Sequence, residues 1–372
     1  MPLLTVNVGS SSVRLVGYDA GERPVVSEHL DLPTAEARAH PEHLAALQAL
    51  LTRAELQPLE AVAHRVVHGG EELTRPCLID AAVEAQIEVL GELAPLHNPA
   101  ALAWIRLCRE LCPRVPQIAV FDTAYFARLP LVARQYALPQ ALTRRGHARR
   151  FGFHGLAHRY LWNRWQQLRA PASGGRLISL QLGSGCSVAA IRDGEPLDIS
   201  MGFSPLEGLV MGSRCGDLDA GLLLYLQRRE GWSCDQAEHY LNERCGLLGM
   251  SGESADVRQL EASGTTAARE ALELFCYRAR KYIGAYFAVL GGADAIVFGG
   301  GIGEHAVGVR ARILQGLEWA GVLLDARLNA QALGSEMRIA AADSRIDVRV
   351  VPVDESRLLA SEARAALKRA PV

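Results

Sequence analysis

Ionisable side chains recur in this sequence where small or apolar residues surround them. Arg65 and His68 stand in His64-Arg65-Val66-Val67-His68-Gly69-Gly70, His97 in Leu93-Ala94-Pro95-Leu96-His97-Asn98-Pro99, and Asp122 in Val120-Phe121-Asp122-Thr123-Ala124. His154 and His158 share Phe151-Gly152-Phe153-His154-Gly155-Leu156-Ala157-His158, Arg214 and Asp217 share Met211-Gly212-Ser213-Arg214-Cys215-Gly216-Asp217, and Glu355 closes Pro352-Val353-Asp354-Glu355. Each lies at the end of a strand pattern or in a glycine-flanked turn, the places where α/β folds assemble ligand sites. A lone histidine is more often structural than catalytic, but this repetition is harder to dismiss. The turns Gly9-Ser10-Ser11-Ser12 and Gly183-Ser184-Gly185-Cys186, with the run Gly299-Gly300-Gly301-Ile302-Gly303, let backbone N–H groups approach phosphate oxygens with no Cβ in the way. Lys281 and Lys368 are the only lysines, so a phosphate clamp here must use guanidinium forks.

The surrounding pattern supplies the elements that position these residues. Leu3–Val8 and Val13–Tyr18 are β-branched and apolar runs joined by the first Gly/Ser turn, which predicts a hairpin. The design returns in 177–182 and 187–191 around the second turn, which suggests a duplicated domain. Helices are expected over 41–54, 82–93, 100–110 and 267–290, strands over 61–67, 117–121, 295–298 and 348–353, and a terminal helix over 356–370. This is an α/β succession. The arginine-rich break at 143–151, with Gly146, marks the expected boundary: residues 1–149 with 356–372 form one domain and 150–355 the other.

The chain has 372 residues, so two domains are the default expectation. Its net charge of −2 gives no basic face for nucleic acid. The N-terminus lacks a basic segment followed by an apolar one, and no apolar run approaches the ~18 residues of a membrane span. The eight cysteines form no C-x-x-C pair, so reduced thiols of a cytoplasmic protein are expected.

Taken in order, the segments from Asn7 to Ser12, His64 to Gly70, Leu93 to Pro99, Val120 to Ala124, Gly152 to Gly155, Met201 to Asp217 and Gly300 to Glu304 closely resemble the acetate kinase signatures from end to end of the chain. That resemblance implies two duplicated actin-like ATPase (ribonuclease H-like) domains of α/β type with a central cleft. It implies reversible transfer of phosphate from ATP to acetate, with Mg2+ (or Mn2+) as the metal and a homodimer as the assembly. Arg65, Asp122, His154, Arg214 and Glu355 match catalytic positions, and Asn7 and Glu355 the metal side. Arg65, Val67, Leu96, His97, Phe153 and Pro205 match the acetate side. Arg14, Gln181, Leu182, Gly183, Ser184, Gly185, Asp256, Val257, Arg258 and Gly299, Gly300, Gly301, Ile302 and Gly303 match the nucleotide side.

These residue types suit the implied reaction. A carboxylate attacking a γ-phosphate brings two anions together, so screening is the main task, and the acceptor needs no strong base to deprotonate it. Two guanidinium groups and an imidazole can bind the charge of the phosphoryl group in flight, and magnesium prefers carboxylate and water oxygens. Gln181 and Ser184 depart from the resemblance, standing where family members usually carry histidine and asparagine. The alternatives are a propionate or butyrate kinase, an altered phosphoryl donor, or a non-catalytic nucleotide-binding sensor. A sugar kinase is disfavoured by Asn7, where aspartate would be expected.

Overall fold

The computed structural model describes residues 1–9, 12–31, 41–95, 97–169 and 174–369. Two compact units emerge from it, one of residues 1–127 with 354–372, the other of 128–353. The division falls at Ala127/Arg128 rather than at 149. Residues 128–150 pack with the second unit, where Gln135 bridges Arg149 and the Arg150 guanidinium donates to the carbonyls of Ala133, Ile199 and Ser200. What reads as an arginine-rich linker is therefore anchored structure.

In the first unit, β1 (Leu3–Val8), β2 (Ser12–Tyr18) and β3 (Pro24–Asp31) form an antiparallel meander. β4 (Ala61–Val66) and β6 (Gln117–Phe121) run parallel to β1, and β5 (Cys77–Leu78) pairs antiparallel with β6 at the edge. The sheet order is β3-β2-β1-β4-β6-β5. Every residue of β4 and β6 is buried, which is why these strands are mostly apolar on both faces rather than alternating, with His64, Arg65 and Gln117 as the polar exceptions. The helix Asn98–Leu111 packs Trp104 and Cys108 into one core, beside Val6, Leu15 and Leu47. The terminal helix Glu355–Leu367 lies along β1, β4 and β6, burying Leu358, Leu359, Ala360 and Ala363.

The second unit repeats the design. β7 (Arg176–Leu182), β8 (Cys186–Arg192) and β9 (Glu195–Ile199) form the meander, β10 (Ala295–Gly299) and β12 (Asp347–Val350) run parallel to one another and to β7 through β10, and β11 (Met337–Arg338) is the antiparallel edge. Read from β9, the order β9-β8-β7-β10-β12-β11 reproduces that of the first sheet strand for strand. This is the duplicated actin-like ATPase fold that the two glycine-serine hairpins announce. The long helix Thr266–Leu290 covers the sheet; the Thr265 hydroxyl caps its start, and Gly291 ends it in the left-handed region at φ +66°. Among the described residues, no helix is long and apolar enough to cross a membrane.

Candidate active site

Parallel pairing places three chemical residues side by side in the first unit. Val6 pairs with His64, Arg65 with Val120 and Val66 with Phe121, so Asn7, Arg65 and Asp122 emerge together near the carboxyl ends of β1, β4 and β6. Arg65 is 9% exposed and Asp122 is fully buried. The Asp122 Oδ2 accepts from Arg65 Nη2 at 2.5 Å and Nε at 3.1 Å. Arg65 Nη1 donates to the Val8 carbonyl at 3.1 Å and to Asn7 Oδ1 at 3.3 Å. Burial opposes the guanidinium's charge, but Asp122 and Glu355 outweigh it and hold the pKa of Arg65 above its ordinary value. Asn7 Nδ2 donates to Glu355 Oε2 at 2.8 Å. Asp354 caps the terminal helix by accepting from Arg357 N, which fixes Glu355 in its first turn, where an acid suits the helix dipole.

The second unit gathers the other set. Gly183 N donates to Gly185 O at 3.0 Å, closing the β7–β8 tip, and Ser184 O accepts from Gly212 N at 3.1 Å, tying that tip to the Arg214 loop. A Cβ on Gly185 would stand 3.3 Å from His154 Nε2 and 3.4 Å from Arg214 Nη1. Glycine therefore lets an imidazole, a guanidinium and a bare backbone turn share one place. His154 holds a left-handed conformation, φ +59°, at the start of the helix Gly155–Leu168, which costs a non-glycine residue about 1–3 kcal/mol where the surroundings enforce it. Arg214 Nη1 donates to Pro205 O at 3.2 Å and approaches Met211 Sδ at 3.8 Å. Burial pushes the Arg214 pKa down, and among the described residues no carboxylate pairs with it.

Several neighbours that sequence reasoning missed hold this loop. Glu207 accepts from Arg150 Nη2 at 2.6 Å and from the Tyr136 hydroxyl, which in turn accepts from Phe203 N at 2.8 Å. The only sequence signal was that Glu207 lies within the segment Met201 to Asp217. Asp217 is structural: it accepts from Gly208 N and the Tyr282 hydroxyl. His68 is also an internal brace, accepting from Gly70 N through Nδ1, and burial pushes its pKa down to about 4.

Among the residues expected on the nucleotide side, Gln181 pairs with Gly299 across β7 and β10, which brings the Gly299–Gly303 turn to the end of β7. Gly300 adopts φ +77°, and a Cβ there would lie 2.6 Å from the Leu182 carbonyl, so only glycine fits. Glu304 accepts from Gly300 N and Val353 N, and the buried Arg310 donates to Gly303 O, locking both ends of the turn. Gln181 Oε1 is buried without a hydrogen-bond partner among the described residues. Gly301 faces open space, and Ile302 is half-buried. Asp256 caps the helix Val257–Ser263 and pairs with Arg258, which is exposed. The Val257 and Leu182 side chains are buried, so only their backbones can serve a ligand.

Arg14 is exposed on β2 opposite Asn7. Val67 and Phe153 are buried, Pro205 is half-buried, and His97 opens the helix Asn98–Leu111 without a side-chain cap. Leu96 lies outside the described residues.

Known proteins are similar to this chain over most of its length. The Acetokinase family profile matches residues 21–361. An acetate kinase from Phocaeicola vulgatus is 38% identical over 99% of this chain and 100% of its own, and one from Chloroherpeton thalassium is 47% identical over 82% of this chain and 75% of its own. The crystal structure of Porphyromonas gingivalis acetate kinase superimposes with a TM-score of 0.88 at 34% identity, covering 98% of this chain and 99% of that one. A propionate kinase from Francisella tularensis gives 0.89 at 32%, with the same coverage. Fold and relatives together define an ATP-using phosphotransferase with a carboxyl group as acceptor. The chain belongs to the Acetokinase family.

Proposed function

We propose that this chain transfers the γ-phosphoryl group of ATP to the carboxylate of acetate, reversibly, giving acetyl phosphate and ADP. The observation that carries this reading is Arg214, a desolvated guanidinium with neutral partners, set beside His154 at a bare glycine tip. Such a cation is poised for a substrate anion. Phosphoryl transfer spreads charge over three equatorial oxygens, which a planar fork and an imidazole can hydrogen-bond. The acceptor carboxylate is already ionised at neutral pH, so Asp122 need not act as a base; its bonds to Arg65 make it an orienting group.

Magnesium suits the donor set of Asn7 and Glu355. Among the described residues no group of three or more His, Cys, Asp or Glu could hold a metal ion by itself. A magnesium bound mainly by phosphates and water needs only one or two carboxylates, and Glu355 supplies one. When bound it neutralises phosphate charge. Incubation with ATP, magnesium and acetate, with hydroxylamine as trap, should yield acetohydroxamate; product from propionate or butyrate alone would shift the reading to those acids, and none from any would overturn it. The eight free thiols suit a cytoplasmic setting.

Val67 is the apolar limit we assign on the acyl chain. Val67→Ala should raise kcat/KM for propionate relative to acetate by about 10-fold, since one methylene in an apolar site is worth ~1–3 kcal/mol; an unchanged ratio removes that assignment. Ser184 and Gln181 concern the donor. The Ser184 side chain is exposed at the tip, so Ser184→Asn should lower KM for ATP, by no more than about 100-fold for one hydrogen bond to a charged group, and leave KM for acetate unchanged. Loss of activity in that variant would favour an altered donor.

A homodimer also fits. The helix Ala220–Glu230 carries Leu222, Leu224 and Tyr225 at 43%, 54% and 50% exposure and buries none of its residues. Light scattering should give twice the chain mass of 40.2 kDa, and Leu224→Asp should shift the population toward monomer; a wild-type monomer at micromolar concentration would remove the claim.

A further inference from the structure

A chain of four side chains runs from the glycine tip into the core of the second unit. His154 Nδ1 lies 2.9 Å from Ser187 Oγ, Ser187 Oγ lies 2.8 Å from His158 Nε2, and His158 Nδ1 lies 2.8 Å from Ser179 Oγ. Ser179, Ser187 and His158 are fully buried. Burial, with the nearby His154, pushes the pKa of His158 well down, so its ring is neutral and carries one proton.

Counting protons orients the chain. Each serine hydroxyl donates once, and a neutral imidazole donates from one nitrogen and accepts at the other. If the protons pointed inward, His158 would donate from Nδ1 to Ser179, and the Ser179 hydroxyl proton would be left over. Ser179 makes no other side-chain hydrogen bond among the described residues, so that proton would be buried and unsatisfied, which native cores avoid. Pointed outward, the Ser179 hydroxyl donates to His158 Nδ1, His158 Nε2–H to Ser187, and the Ser187 hydroxyl to His154 Nδ1. Every buried donor is then used.

The geometry points to Ser187, itself held by His158, which Ser179 in turn orients, as the positioning residue that fixes the tautomer of His154. With Nδ1 occupied as an acceptor, the neutral His154 ring carries its proton on Nε2, the atom that approaches the Gly185 tip beside Arg214. The relay thus supplies a hydrogen-bond donor to a phosphoryl oxygen at the tip, where the other tautomer would present a lone pair to an anion. This rests on the phosphoryl-transfer reading of the site.

The test begins with the wild-type full chain labelled with 15N-histidine, the His154 signals being assigned by their loss in His154→Ala. The expected spectrum shows a protonated Nε2 and an unprotonated Nδ1 on His154 near neutral pH. Ser187→Ala should lower kcat by about 10–100-fold, the range for orienting partners of functional histidines, with KM for acetate little changed and a mixed His154 tautomer. Ser187→Thr, which keeps the hydroxyl, should recover most of the loss. A wild-type ring protonated on Nδ1 alone, or a folded Ser187→Ala enzyme with full kcat, would overturn the inference. Should Ser187→Ala fail to fold, the wild-type spectrum still decides. A chain with the Nε2–H ring but no acyl kinase activity would support the relay and overturn only the functional reading.

Discussion

Arg214→Ala is expected to lower kcat by about 10³–10⁵-fold, the range for arginines that stabilise phosphoryl-transfer charge, while leaving the melting temperature unchanged or higher. The two halves of this expectation come from one observation. Arg214 is desolvated, and among the described residues it bonds only a carbonyl and a thioether sulfur. A half-buried, desolvated cation with no carboxylate partner among the described residues adds little to the resting fold, so its removal relieves a desolvation cost; active sites commonly hold such destabilised groups. Its stabilisation appears only when an anion arrives. Arg214→Lys should rescue poorly, because an ammonium reproduces the charge but not the planar fork. Kinetics with ATP and acetate, paired with thermal unfolding, check both halves. An alanine variant of near-wild-type turnover would show that the phosphoryl group is bound elsewhere, and one that loses turnover only by unfolding would show that Arg214 is structural.

The parts of the site readable in the sequence were those that local pattern determines. Glycine and serine between two apolar runs specify a hairpin, and both strand pairs stand where the pattern puts them, although Ser10 and Ser11 lie outside the described residues. Arg65 and Asp122 end apolar strands, and parallel register then makes them neighbours. What stayed illegible depends on packing over long separations. Ser187 and Ser179 look like filler on strands, and only the antiparallel pairing of β7 with β8, with a helix laid across them, lines them up with His154 and His158. Tyr136, Arg150 and Glu207 are separated by up to 71 residues. Arg150 therefore read as part of a linker, because nothing local shows that its charge is answered by Glu207. The short edge strands β5 and β11, of 2 residues each, are too brief to carry a periodic signal.

Asp122→Ala should behave in the opposite way to Arg214→Ala, losing stability as well as activity. Asp122 is fully buried, and one of its oxygens takes two hydrogen bonds from Arg65. Removing it leaves the guanidinium hydrogen-bonded to Asn7 Oδ1 and the Val8 carbonyl, neutral acceptors, with Glu355 as the remaining nearby charge and no hydrogen bond to it among the described residues. Breaking a buried pair from one side costs about 3–5 kcal/mol, a large share of the stability of any one unit. Urea unfolding of the first unit, followed by the fluorescence of the buried Trp104 against variants lacking the other tryptophans, should show its midpoint fall accordingly. Arg65→Met combined with Asp122→Ala should regain much of that loss, since replacing both charges by apolar groups removes the uncompensated cation. The double variant should remain inactive. Stability restored without activity would show that the pair is kept for what Arg65 does to substrate. A single Asp122→Ala variant of unchanged stability would instead mean that water reaches Arg65 and that the pair is not desolvated as its burial indicates.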